Sequence, residues 1–169
     1  MKSTFVLAIA ESRLHADIMM IRLRRAGINV DRISAMFSRR FAPISFFCWL
    51  RRPRTLRSSL KDERGMVFAA GPLQKRIAGH DEVAAVPDLL QQLGLDRREA
   101  AHFSQALWNG HALLCVSVKN EDEAAIAWHI FKHSRAEDIA VTNHSLAERI
   151  APPASPQLAA AAWPSAFAA

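Results

Sequence analysis

The stretch from Arg39 to Arg64 concentrates the side chains best suited to holding an anion. Arg51, Arg52, Arg54 and Arg57 follow closely on Phe46, Phe47 and Trp49. A guanidinium matches phosphate oxygens through paired hydrogen bonds, and aromatic rings stack on nucleobases. Beside an anionic membrane each such cation contributes about 1 kcal/mol. Arg51, Arg52, Arg54, Arg57 and Trp49 are therefore the candidate anion- or membrane-binding residues, with lipid or nucleic acid as the partner. The competing reading is an aromatic plug over the fold beside a solvated, charged loop. The formal net charge of +6 belongs wholly to this stretch, because the remaining chain carries equal numbers of acids and bases.

Two histidines, His129 and His133, stand one helical turn apart, the spacing of a helical metal pair. Spacing supplies no third ligand, and structural sites usually use about four, so these are weak metal candidates and no cofactor is expected. Cys115 with His102 or His111 has the residue types of a nucleophile and its base. Yet Cys115 sits between Leu114 and Val116 in an apolar run, which suits a buried thiol rather than a reactive one. Asp96 and Glu99 read as a D-x-x-E helix cap rather than a catalytic carboxylate pair. Neither G-x-G-x-x-G nor a P-loop is present. No residue is nominated as catalytic, no small-molecule substrate is identifiable, and the reading leans away from an enzyme.

The elements that must position these groups follow from periodicity. Thr4–Ala10 is a short apolar run consistent with a strand buried on both sides. Ser12 caps a helix to about Ala26, with Leu14, Ile18 and Ile21 on its inner stripe and Met20 and Leu23 widening it. Gly27 ends it. Ile33–Ser38 reads as a second strand. Arg39–Pro87 has no clean period and predicts an insertion containing short helices. Pro87 opens a short helix through Leu93, closed by Gly94. The helix capped by Asp96 has Ala100, Phe103 and Leu107 inside and stops at Gly110. Ala112–Val118 is a buried strand. Asn120 opens a helix to about Ser134 with Ala124, Ala127, Ile130 and Phe131 on the core side, and Asp138–Thr142 is the last strand.

Two strand–helix–strand stretches predict an α+β, ferredoxin-like fold. Its expected form is a four-stranded antiparallel sheet from two βαβ units, with helices on one face and a helical or irregular insertion. The alternative is a doubly wound parallel sheet. Residues 1–144 form one domain with its insertion at 39–87, and the Ala/Pro-rich stretch 145–169 is expected to be a disordered tail. Half of the residues are apolar and 22% are charged, an ordinary globular mixture. Two cysteines cannot make a disulfide framework, and the opening apolar run is too short for a secretory signal. A cytoplasmic protein is expected.

The order of several short motifs resembles the general stress protein 17M-like family. They are Glu11-Ser12, Ala26–Val30, Ala69–Leu73 (AAGPL), Leu93–Leu95, Glu99–Phe103, Leu107–Gly110, Leu113–Val118 and Arg135–Val141. The resemblance covers most of 4–142. It implies a stress-related protein and carries no established catalytic residues. Relatives commonly have a glycine-rich apolar segment between the halves, where this chain has the arginine-rich Arg39–Arg64.

The leading expectation is a non-enzymatic protein acting through self-association or protein–protein contact. Both faces of Phe5–Ala10 and Ala112–Val118 are apolar, so the sheet face opposite the helices needs a cover. The insertion or a second copy would provide it, and the second case makes a homodimer. The alternative is anionic-ligand, membrane-surface or nucleic-acid binding through 39–64, including an enzyme-like site with the insertion as its lid.

Overall fold

Two neighbouring strands buried on both faces decide the architecture. In the computed structural model, residues 4–38, 59–62, 65–73 and 86–150 are described. In chain order they form β1 (Thr4–Ala10), α1 (Arg13–Arg25), a 3-10 turn (Val30–Arg32), β2 (Ile33–Ser38), β3 (Ser59–Asp62) and β4 (Gly65–Ala70). There follow α2 (Val86–Leu93), α3 (Arg97–Trp108), β5 (Ala112–Val118), α4 (Glu121–His133), β6 (Ile139–Val141) and α5 (His144–Ile150). All six strands join one sheet in the order β3-β4-β2-β5-β1-β6. Every neighbouring pair is antiparallel, with Leu7 opposite Cys115, Ala35 opposite Leu114 and Val6 opposite Val141.

Successive residues of a strand point to opposite faces. Val6, Ala8 and Ala10 of β1, with Leu114 and Val116 of β5, meet α1, α4 and α5. Phe5, Leu7 and Ile9, with Leu113 and Cys115, meet α2 and α3 on the other side. Helices therefore cover both faces, where one covered face was expected. The apolar face that called for a second copy is covered by Leu89, Leu90 and Leu93 of α2 and by Ala100, Phe103 and Leu107 of α3. That cover removes the original argument for a homodimer.

Three further differences have physical causes. The sheet has six strands rather than four, because the insertion contributes a β3–β4 hairpin to the edge beside β2 where short helices were expected. Phe37 and Phe68 stack across that junction with ring centres 5.9 Å apart. In α1 the buried side chains are Ala16, Met19, Met20 and Leu23, while Leu14 is 69% exposed. At about 100° per residue these four lie opposite the Leu14–Ile18–Ile21 stripe, so α1 is apolar on two sides. The folded chain also runs past 145: α5 buries Leu146 and Ile150 against the α1–α4 layer where a disordered tail was expected, and the rest of that stretch, 151–169, lies outside the described residues.

Local signals behaved as the chemistry requires. Ser12 Oγ accepts from the His15 amide at 3.2 Å. The Asp96–Glu99 box is complete, with Asp96 Oδ1 accepting from Glu99 N at 2.8 Å and Glu99 Oε2 accepting from Asp96 N at 3.1 Å. Gly71 has φ +87°, and a Cβ there would lie 2.8 Å from Ser34 Cα and would strike the Ile33 carbonyl. This close approach lets Leu73 N donate to the buried Ser34 Oγ at 3.1 Å. The AAGPL turn thus locks β4 onto β2.

Candidate functional site

Arg51, Arg52, Arg54, Arg57 and Trp49 lie outside the described residues. A different cationic site stands within the described residues. The last turn of α1 presents Arg22 and Arg25, and the last two turns of α4 present His129 and His133. Together with Ala26 and Ile130 they line a cleft of about 610 Å³. None of the six lining residues is acidic.

The sequence sets this arrangement through helix ends. Asn120 caps α4, its Oδ1 accepting from Glu123 N at 2.9 Å, which fixes the helix phase. One turn apart, His129 and His133 then emerge on one side, with ring centres 6.2 Å apart. The end of α4 is tied to α1 by two side chains. Arg22 Nη1 donates to the His133 carbonyl and to Ser134 Oγ, each at 3.0 Å. His15 Nε2 donates to the Ser134 carbonyl at 2.6 Å. Carbonyls at a helix end lack intrahelical partners, and these two side chains supply donors to them.

The hydrogen bonding assigns the ring protons. His133 Nδ1 lies 2.8 Å from the His129 carbonyl, which only accepts, so Nδ1 carries the proton and Nε2 is left for a ligand. His129 makes ring contacts with Trp128 and His133, but its nitrogens have no hydrogen-bond partner among the described residues. Arg25 likewise has no hydrogen bond or ion pair among the described residues. Lys132 is occupied over the Trp128 ring, 5.6 Å from its centre. The cleft therefore holds a guanidinium and imidazole nitrogens that the described fold does not use.

As a metal site the His129–His133 pair is short of ligands. Among the described residues no group of three or more His, Cys, Asp or Glu side chains could hold a metal ion. Cys115 is buried at 1% exposure in the α2–α3 layer. Both histidines weighed as its base are turned to carboxylates instead. His102 Nε2 lies 2.6 Å from Asp138 Oδ2, and His111 Nδ1 lies 3.0 Å from Glu137 Oε2. The fold does not assemble a nucleophile–base pair from these three residues.

Sequence reasoning found His129 and His133 and missed Arg22 and Arg25. In the sequence the two arginines are only cations in the last turn of α1, where they suit the negative end of the helix. Their spacing of three residues placed them on one side, but only packing brought that side to α4.

No family model matches the chain, and no curated protein or solved structure matches it either. Among the described residues no helix is long and apolar enough to cross a membrane.

Proposed function

We propose that this chain is a non-enzymatic, ferredoxin-like domain of the general stress protein 17M-like kind that acts by self-association through the outer side of α1. Support for the fold assignment is the order β2-β5-β1-β6 inside the larger sheet, with β1 and β5 central and each followed by a helix on the same face. The motif series ending in AAGPL supports the family assignment, because Gly71 of that motif makes the tightest backbone approach of the described glycines.

One observation carries the functional reading: α1 is apolar on two opposite sides, and the sheet buries only one. Leu14 is 69% exposed, Ile18 37% and, on neighbouring α4, Ile126 41%; they are the large apolar side chains left in solvent among the described residues. A helix that meets water on both flanks needs no second apolar stripe, whereas an interface does. Self-association is read out by sedimentation equilibrium over micromolar to millimolar concentration. The expected result is a mass rising toward the dimer, reduced to monomer by a Leu14→Asp, Ile18→Asp double variant of unchanged circular dichroism. A monomer across that range overturns the proposal.

A second reading, binding of an anionic ligand, is favoured by the unused cations of the α1–α4 cleft.

A further inference from the structure

We propose that the cleft between the ends of α1 and α4 is a binding site for a small phosphate monoester, with Arg25, His129 and His133 as the phosphate-contacting residues. This goes beyond self-association and rests on different groups, the cations of the cleft rather than the apolar stripe of α1.

The donor set fits an oxyanion. Arg25 offers a forked guanidinium with no partner among the described residues, and His129 offers a ring nitrogen in the same state. His133 donates through Nδ1 to the His129 carbonyl, so Nε2 is free and donates to an oxyanion when the ring is protonated. With rings 6.2 Å apart, the two imidazoles can approach one tetrahedral group from two directions. Arg22 is a positioning residue: Nη1 is committed to the His133 carbonyl and Ser134 Oγ, which sets the end of α4 against α1. Its charge still adds to the field of the cleft.

A phosphate is favoured over a metal or an apolar ligand by what lines the cleft. The lining contains two arginines and lacks any carboxylate, so the guanidiniums disfavour a cation and favour an oxyanion. The volume of about 610 Å³ suits a small molecule rather than an extended polymer. Ala26 and Ile130 supply an apolar patch for the carbon body of a monoester.

The experiment follows the histidine ring protons of the full chain by NMR while inorganic phosphate, glycerol phosphate or vesicles containing phosphatidic acid are added at constant ionic strength. The expected result is saturable movement of the His129 and His133 signals with both soluble phosphates and none with chloride. Arg25→Ala should weaken binding about tenfold, the loss of one charge-assisted contact. Arg98→Ala, which removes the same charge from α3 on the opposite face of the sheet, should leave it unchanged. Equal weakening by both variants would show diffuse charge attraction and overturn the site. So would non-saturating shifts, or a response to vesicles alone. Because the readout is local to two rings, a monomeric protein that binds phosphate leaves this inference standing while self-association fails.

Discussion

Arg32 and Glu123 face each other across the seam between the 3-10 turn and α4 in a two-pronged ion pair. Arg32 Nη1 donates to Glu123 Oε1 at 2.8 Å and Nη2 donates to Oε2 at 2.5 Å. Nη2 also donates to the Ser117 carbonyl at 2.6 Å, and Glu123 Oε2 accepts from Lys119 N at 2.8 Å. One arginine therefore fastens the turn before β2, the end of β5 and the start of α4, the helix that carries His129 and His133. The hydrogen bond from Arg32 holds the Glu123 carboxyl well below the usual range, at about 2, with the Lys119 amide adding to the effect.

That depressed value makes stability depend on acid. The unfolded carboxyl titrates near 4.5 and the folded one at about 2, so folding is favoured by this group above the unfolded value. Its contribution is lost progressively as pH falls through that window, because the unfolded chain then takes up the proton first. Glu123→Gln should reduce stability near neutral pH by about 1.5–3 kcal/mol, the range for a hydrogen bond to a charged group. Urea unfolding at pH 7 and at steps down to pH 2 checks this: the gap between wild type and variant should close toward the acid end.

Gly71 and Gly27 both have positive φ but differ in what surrounds them. A Cβ at Gly71 meets the backbone of Ile33 and Ser34, whereas one at Gly27 meets nothing within 4 Å. Gly71→Ala is expected to cost more than about 3 kcal/mol, since β4 must leave β2 to relieve the clash. Gly27→Ala should cost only about 1–2 kcal/mol, the strain of the left-handed backbone alone. Midpoints of chemical denaturation compare the two directly.

The two sides of α1 should respond oppositely to truncation. Leu23 is fully buried and Leu14 is 69% exposed. Leu23→Ala is expected to lose about 2–5 kcal/mol through transfer and cavity terms. Leu14→Ala should change stability by less than about 0.5 kcal/mol, as at an ordinary surface position. Measurements at low micromolar protein keep association from contributing to either value.

Cys115 should behave as a core side chain. At 1% exposure it is shielded by the α2–α3 layer, so its reaction with a thiol reagent must wait for the chain to open. In a Cys48→Ser background the labelling rate is expected to rise with added urea in step with unfolding. A fast native rate without denaturant would show that the layer over β5 opens independently.

Much of the local structure was readable because its causes are local. Ser12, Asp96 and Asn120 cap the helices they were expected to open, since a capping oxygen needs only amides two or three residues ahead. β2 and β5 have the bounds expected of them, as short apolar runs. The edge hairpin was not readable, because β3 is only four residues long and acquires its meaning from pairing with β4. The wrong side of α1 was chosen for a related reason: two apolar stripes on one helix satisfy the same periodicity. Of the cleft, His129 and His133 were visible as a pair, but Arg22 and Arg25 joined them only through the crossing of two helices.

By itself, then, the sequence determined the strands β1, β2, β5 and β6 and the helices α1 to α4, where capped helices begin, and that β1 and β5 are apolar along most of their length. Tertiary structure alone decided that α2 and α3 cover the second face, that α1 turns Leu14 and Ile18 outward, and that four basic side chains from two helices share one cleft. Capping and periodicity act over a few residues and are written in neighbouring letters. Which faces meet depends on all the surfaces competing for burial at once, and that competition is settled only when the whole sheet is formed.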